Sequence, residues 1–382
     1  MAGLYVHVPF CAKRCIYCDF YSNINVEYKE AYINALLREM EVRSDYLRGE
    51  SIKTIYFGGG TPSQLQPWEI KKILDGIYRK FSVSDNPEIT IEANPDDLSD
   101  KYVMSLKTLP VNRLSIGIQS FDDRDLRLLN RRHTSLEAVE AVARCKEADL
   151  TNISIDLIYG LPGQTTESWT YNIDKAIALD VPHISAYSLT YEEGTVIYKM
   201  MERKDINPVD DDICEQLFSI LTRKLAGAGF VHYEISNFAG CSTSFPEGRI
   251  SLHNSSYWNG THYLGLGPSA HSYDGDSRSW NISSISEYIK ALNDSSLDFF
   301  ETENLNAVAK YNDFIITHLR TMWGVSLSEL RRDFGEERER YFLAKSEPYI
   351  FLNILKKQGE IVKVSPERIF ISDAIIRDLI AL

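Results

Sequence analysis

At 382 residues the chain is long enough for two to three domains of ~150 residues and for a core that needs no disulfide staples. Forty-one Lys and Arg against 54 Asp and Glu leave a net charge of −13, which argues against a protein that wraps nucleic acid or clings to anionic lipid. Six cysteines are too few for a secreted disulfide scaffold, and they are unevenly spread: Cys11, Cys15 and Cys18 crowd the start, while Cys145, Cys214 and Cys241 scatter. From residue 4 to 235 a beat of short β-rich run, turn and longer helical run repeats. It predicts strands at 4–8, 54–57, 88–93, 113–118, 152–157, 183–189 and 231–235. Helices are expected between them, at 28–44, 67–81, 136–148, 167–180 and 211–226. Ser135, followed by Glu137 and Glu140 in a first turn, marks one helix start. Strand alternating with helix implies βαβ units and a parallel sheet, and six such units would curve toward a barrel, although pattern alone does not separate a barrel from an open sheet.

The rhythm breaks after residue 235. Residues 250–273 contain no Asp, Glu, Lys or Arg. At ordinary charge usage such a window has a chance of roughly one in a thousand at a given start. It holds His253, Asn254, Trp258, Asn259, His262 and His271, so it reads either as a ligand-facing segment or as a loop covering the core. Beyond residue 304, helical spacing returns at 305–322 and 338–357, broken by Gly359. Ser365-Pro366-Glu367 then predicts a hairpin between 360–364 and 368–372, and a last helix is expected over 374–382. Helices followed by a hairpin resemble a winged helix, yet residues 301–382 carry 12 basic against 13 acidic side chains, unlike a DNA reader. The expected units are 1–235, a neutral connecting segment 236–303, and 304–382. The start, Met-Ala-Gly-Leu-Tyr-Val-His-Val-Pro-Phe, has no basic leader, and no run of 18 apolar residues occurs, so a cytosolic protein is expected. There, clustered cysteines stay reduced and bind metal more often than each other.

Cys11-Ala-Lys-Arg-Cys15-Ile-Tyr-Cys18 follows the first strand. Three thiolates on one short loop suit three corners of a [4Fe–4S] cluster and leave one iron with an open site. The competing reading is tetrahedral zinc with His7 as fourth ligand. Cys145 and Cys214 lie in helical runs and read as core, and Cys241 is left without a role. Four further motifs sit at or near the carboxyl ends of successive strands, where βα barrels place their sites. Phe57-Gly58-Gly59-Gly60-Thr61-Pro62 ends the second strand, as either a close approach to a ligand or a tight turn. Glu92 ends the third, Gln119 the fourth, and Asp156 lies within the fifth, opposite in sense to Ile153, Ile155 and Leu157. An acid in an otherwise apolar strand needs a partner. Arg131 adds a cation suited to a carboxylate.

With these motifs in this order, and Tyr5-Val6-His7-Val8-Pro9-Phe10 ahead of the first cysteine, the chain resembles over nearly its whole length the anaerobic coproporphyrinogen oxidase-like branch of the radical S-adenosylmethionine (SAM) superfamily. The resemblance implies an α/β fold, a partial (β/α)6 barrel with a smaller helical, winged-helix-like C-terminal domain. It implies a [4Fe–4S] cluster on Cys11, Cys15 and Cys18, with SAM chelating the fourth iron and then being cleaved to a 5′-deoxyadenosyl radical. It implies SAM contacts at Tyr5, Gly59, Gly60, Thr61, Glu92, Gln119, Arg131 and Asp156.

That branch has two poles: oxidases that decarboxylate two propionates of coproporphyrinogen III, and HemW-type chaperones that carry heme to acceptor proteins. The oxidases resemble Cys-x3-Cys-x2-Cys-x-Cys, and here Phe20 stands in place of the last cysteine. They also carry a long arm ahead of the first strand, which here is expected to start at Leu4. His253-Asn254-Ser255-Ser256-Tyr257-Trp258 matches the His-Asn-x-x-Tyr-Trp motif of the chaperones, and a histidine among aromatics suits an iron macrocycle. The resemblance therefore favours a heme chaperone with His253 as heme ligand over a tetrapyrrole oxidoreductase. It links cluster binding to a homodimer and makes the acceptors membrane respiratory enzymes, reached from the cytoplasm.

Overall fold

The computed structural model describes residues 1–240 and 249–381; Cys241 lies outside them. Six strands run parallel in sequence order: β1 (Ala2–Val8), β2 (Ile52–Gly59), β3 (Val83–Ala93), β4 (Arg113–Gln119), β5 (Ile153–Tyr159) and β6 (His183–Ser188). Helices α1 (Lys29–Val42), α2 (Pro67–Lys80), α3 (Asp100–Leu106), α4 (Asp123–Leu128), α5 (Ser135–Glu147) and α6 (Thr166–Ala178) connect them. Two more, α7 (Val196–Glu202) and α8 (Asp211–Gly227), follow β6. The expected helices over 28–44, 67–81, 136–148, 167–180 and 211–226 each form within two residues of their predicted ends. The short α3, α4 and α7 were not expected. Thr134, not Ser135, caps α5, with its hydroxyl on the Glu137 amide and Glu137 answering on the Thr134 amide.

Alternation decides what each strand presents. Leu114, Ile116 and Ile118 of β4 are buried among the apolar core residues, and so are Ile153, Ile155 and Leu157 of β5. The intervening residues face the other way: Tyr5, Thr54, Tyr56, Thr90, Glu92, Arg113, Ser115, Ser154, Asp156, His183 and Ser185. The outer face of the strands is aliphatic and the inner face polar and aromatic.

The segment expected as a connector belongs to the same sheet. β7 (Phe230–Glu234), expected as a seventh parallel strand, pairs antiparallel with β8 (Asn237–Gly240), which continues the sheet antiparallel from β6. Past α9 (Leu252–Trp258), β9 (Tyr263–Leu266) pairs parallel with β1 on the other side. β10 (His271–Tyr273), β11 (Ser277–Asn281) and, after α10 (Ile285–Asn293), β12 (Phe300–Asn304) extend it antiparallel. The result is a 12-stranded sheet in the order β12-β11-β10-β9-β1-β2-β3-β4-β5-β6-β8-β7. No break in it falls at 235/236.

The C-terminal part comprises α11 (Ala307–Leu319), β13 (Val325–Ser326), α12 (Leu327–Phe351, kinked at Gly335), β14 (Leu355–Gln358), β15 (Ile361–Val364) and α13 (Ser372–Leu379). Helices against a three-stranded antiparallel sheet match the winged-helix-like expectation. The hairpin is shifted from its predicted place: β14 and β15 turn at Gly359, whose φ of +60° favours glycine, and Pro366 opens a 3-10 helix over Pro366–Ile371.

A buried carboxylate ties α1 to the sheet extension. Glu39, fully buried, lies 3.6 Å from Arg43 and accepts from Tyr288 Oη (2.6 Å), the Gly267 amide (2.8 Å) and Asn281 Nδ2 (2.7 Å). Burial pushes its carboxyl above the usual range, against the pull of Arg43 and these donors. Glu39→Ala leaves a buried guanidinium and several donors without their acceptor. It is expected to cost about 3–5 kcal/mol in urea unfolding, and Glu39→Gln clearly less.

Candidate functional site

The three clustered cysteines occupy one loop at the carboxyl end of β1, and all three thiols are free. The loop is closed at its neck, where the Cys11 amide donates to Asn23 O (3.0 Å) and the Asn23 amide to Pro9 O (2.5 Å). Its far side is tied to the connection after α4 and to α7: Asn130 Nδ2 donates to Arg14 O (2.8 Å) and the Ile197 amide to Ile16 O (2.9 Å). Arg131 binds the pieces together. Its Nη1 donates to Cys15 Sγ (3.4 Å), and its Nη2 to Asn94 Oδ1 (2.6 Å) and Gly117 O (2.5 Å). Cys11 Sγ lies 3.4 Å from Thr61 Oγ1. Burial pushes the Cys11 thiol up and the Cys18 thiol to about 11. Coordination to a metal would reverse this, because a liganding thiol is deprotonated.

Three thiols on one loop are the donor set that a cluster uses. Among the described residues no group of three or more His, Cys, Asp or Glu side chains is gathered so as to hold a metal ion. His7, the expected fourth zinc ligand, is buried, with Nε2 2.9 Å from Tyr21 O and Nδ1 3.3 Å from Tyr5 Oη.

Below the loop lie two partly buried carboxylates. Glu92 accepts from Tyr56 Oη at 2.8 Å, and Asp156 from Ser115 Oγ at 3.2 and 3.3 Å to its two oxygens. Burial pushes Glu92 to about 7 and Asp156 to about 6, partly offset by these hydroxyls and by the charge of Arg113. Arg113 is itself buried (2% exposed) and faces the same interior. At the strand ends, Gly59 (φ +106°) and Gly60 are required by packing inside the protein. A Cβ on Gly59 would lie 2.6 Å from the His7 ring, and one on Gly60 2.9 Å from the carbonyls of Val8 and Phe10. Gln119 has φ +71° beside a register irregularity in β4, and its amide lies over Gly117 beside Arg131.

His253 is not near the cysteine loop. It lies on α9, at the opposite end of the strands, and its ring is 1% exposed. Nδ1 is 2.8 Å from Thr54 Oγ1 and Nε2 is 2.9 Å from Tyr257 Oη, so both nitrogens are engaged. The Glu88 carboxylate accepts the Leu252 and His253 amides at 3.1 and 2.9 Å, fixing the start of α9 to β3. His183 is held similarly, between Ser154 Oγ (2.7 Å) and Tyr233 Oη (2.8 Å). The neutral segment thus forms a polar, aromatic floor under the strands. Of its three histidines, only His253 is buried.

The site thus combines a loop of three thiols at the carboxyl end of β1 with one carboxylate toward the end of β3 and another within β5. The Radical SAM superfamily profile matches residues 5–176, and the chain is a member of that superfamily. The fold agrees with the structure described as coproporphyrinogen III oxidase (HemN) from Escherichia coli. The TM-score is 0.85 at 21% identity, over 100% of this chain and 90% of that one. Among curated proteins, the one named heme chaperone HemW from Bacillus subtilis (strain 168) is 35% identical over 344 residues, 90% of this chain and 89% of that one. Its namesake from Mycobacterium tuberculosis (strain H37Rv) is 31% identical, over 99% of this chain and 94% of that one. The chain belongs to the HemW family.

The structure brings Cys11, Cys15, Thr61 and Arg131 to one end and places Tyr5, Glu92 and Asp156 along the interior. Sequence reasoning passed over Tyr56, Ser115 and Arg113. The available signal was the alternation itself: Arg113, Ser115, Gly117 and Gln119 fall on one face of β4, opposite three aliphatic residues.

The raised Glu92 value has a pH consequence. The folded chain holds this proton more tightly than the unfolded one, so its contribution to stability is full below the ordinary carboxylate range and is lost as pH rises through about 7. The buried histidines titrate in the opposite sense, so the readout is a difference. The thermal midpoint of Glu92→Gln minus that of the wild type, without ligands, is expected to grow from pH 5 to pH 8. A flat difference would contradict the shift.

Proposed function

We propose that this protein is a heme chaperone that binds heme and passes it to acceptor proteins. Cys11, Cys15 and Cys18 would hold a [4Fe–4S] cluster. Tyr5, Gly59, Gly60, Thr61, Glu92, Gln119, Arg131 and Asp156 would hold SAM. The observation that carries this reading is the likeness, over nine-tenths of the chain and more, to proteins named heme chaperone. Phe20, 68% exposed, supports it by standing where the oxidases have a further cysteine.

When bound, the cluster would supply one-electron chemistry to SAM at an open iron. The chain's own part is to hold and orient. Arg131 supplies a cation next to Cys15 and pins the cysteine loop to β4. Glu92 and Asp156 offer acceptors to the hydroxyl and amino groups of a nucleoside or amino acid. Cys11 and Thr61 share the dry side of the loop.

Heme is the cargo. His253 enters as its ligand through the family motif, and iron coordination there requires Thr54 or Tyr257 to release the ring. The chaperone reading does not depend on which side chain meets the iron. Among the described residues no helix is long and apolar enough to cross a membrane. Acceptors in a respiratory membrane would therefore be met by protein contact, from the cytoplasmic side.

Two measurements test this. After anaerobic reconstitution, single Ala variants of Cys11, Cys15 and Cys18 are expected to drop iron and acid-labile sulfide to background, and wild-type loading in any of them removes that cysteine. Reconstituted wild type, given SAM, a reductant and coproporphyrinogen III, is expected to bind added heme and to make no protoporphyrinogen IX. Turnover would establish the oxidoreductase in its place.

A further inference from the structure

His253 at the floor is buried, yet its ring stacks on Tyr56, whose phenol donates to Glu92, one of the residues assigned above to SAM. We infer that His253 is a positioning residue of the SAM site: its ring, locked between Thr54 and Tyr257, holds Tyr56 in the orientation that lets the phenol donate to Glu92. This rests on the SAM reading proposed above.

The geometry runs in one line. Burial pushes the His253 imidazole down to about 3, so the ring is neutral and carries one N–H. One of its two neighbours accepts that proton and the other donates to the bare nitrogen, and the two bonds together fix the ring plane. That plane lies 20° from the Tyr56 ring, with centroids 4.9 Å apart. Tyr5 continues the set, 25° from His253 at 6.5 Å and 24° from Tyr56 at 6.2 Å. Three rings from β1, β2 and α9 thus share nearly one orientation, and Tyr56 among them makes the 2.8 Å bond to Glu92.

The backbone closes the same circuit. β3 carries Glu92 toward its carboxyl end and Glu88, which anchors the start of α9, four residues before it. Gly3 leaves Thr54 its place: a Cβ there would sit 3.1 Å from Thr54 Oγ1, the hydroxyl bonded to His253. Removing the imidazole would open a void beside Tyr56, free its ring to tilt, and leave Thr54 and Tyr257 hydroxyls without a partner. A heme ligand would need the reverse arrangement, an imidazole with one nitrogen presented to a broad macrocycle. Here both nitrogens are taken, and such an approach requires Thr54 or Tyr257 to release the ring.

The test uses cluster-reconstituted full-length protein, with SAM affinity by equilibrium dialysis and heme binding by Soret titration on the same preparations. His253→Ala is expected to weaken SAM binding about tenfold or more while iron and sulfide loading stay at wild-type values. His253→Gln, which can again bond on both sides, is expected to recover SAM affinity to within about threefold, a rescue that mere loss of folding would not show. Tyr56→Phe, which keeps the stack and loses the bond to Glu92, is expected to weaken SAM binding in the same direction and keeps the test open if the Ala variant does not fold. Wild-type SAM affinity in folded, iron-loaded His253→Ala, or in Tyr56→Phe, overturns the inference. Loss of the Soret band with SAM binding intact overturns it in favour of a heme ligand. Loss of both that Gln does not restore overturns it as well. A wild type that binds heme and iron but no SAM removes the SAM site itself, and this inference with it.

Discussion

Two carboxylates, Glu92 and Asp156, lie inside a sheet whose other face is aliphatic, and much of the architecture follows from keeping them there. A charged group away from water needs donors or a counter-charge at close range. β2 supplies Tyr56 to Glu92, β4 supplies Ser115 to Asp156, and Arg113 on the same strand adds the positive charge. Both acids still sit above their ordinary range, so the interior holds their negative charge less readily than water would. A cationic, hydrogen-bonding cofactor would relieve that condition. SAM, which carries a sulfonium and an ammonium, has that character, and the SAM site proposed above draws on the acids of β3 and β5.

The cysteine loop answers a different demand. Three thiols must be offered from one short segment without collapsing onto each other. The loop does this by closing its neck between Pro9, Cys11 and Asn23 and by leaning on the connection after α4 and on α7. Arg131 joins this loop to the strand that carries Gln119, so the two parts of the proposed cofactor site share one guanidinium. The glycines at the end of β2 serve the same closeness: they let β2 pass against His7 and the carbonyls after β1. The expectation of a ligand-facing glycine turn is thereby sharpened, because contact within the protein alone accounts for Gly59 and Gly60.

Much of the fold was legible because its signals are local. Parallel strands β1–β6 announce themselves as β-branched runs between helices of helical period, and their order follows from βαβ connection. The extension beyond β1 was not legible: Tyr263–Leu266, His271–Tyr273 and Ser277–Asn281 are short and rich in Gly, Ser and Asn, and they join the sheet through the parallel pairing of Tyr263–Leu266 with β1, more than 250 residues away in sequence. The hairpin slipped because Ser365-Pro366 offers turn chemistry as good as Gly359, and only the register of β14 with β15 selects between them. The cysteine loop was visible as spacing. The surroundings of His253 were not, since its partner Thr54 is 199 residues distant. The motif pointed to a residue that matters, and the fold shows what that residue touches.

Together these features describe a radical SAM barrel whose extra segment braces it from beneath, in a chain whose family relatives are named for carrying heme. The most direct test of that account is transfer. Heme-loaded protein, its cluster intact, is mixed anaerobically with an apo-b-type cytochrome, and the Soret spectrum of the acceptor is followed after separation. The account predicts that heme moves to the acceptor in near-stoichiometric amount and faster than from a non-specific heme-binding protein such as albumin. Heme that stays on the protein, or that reaches the acceptor only at the rate of release from albumin, would contradict it.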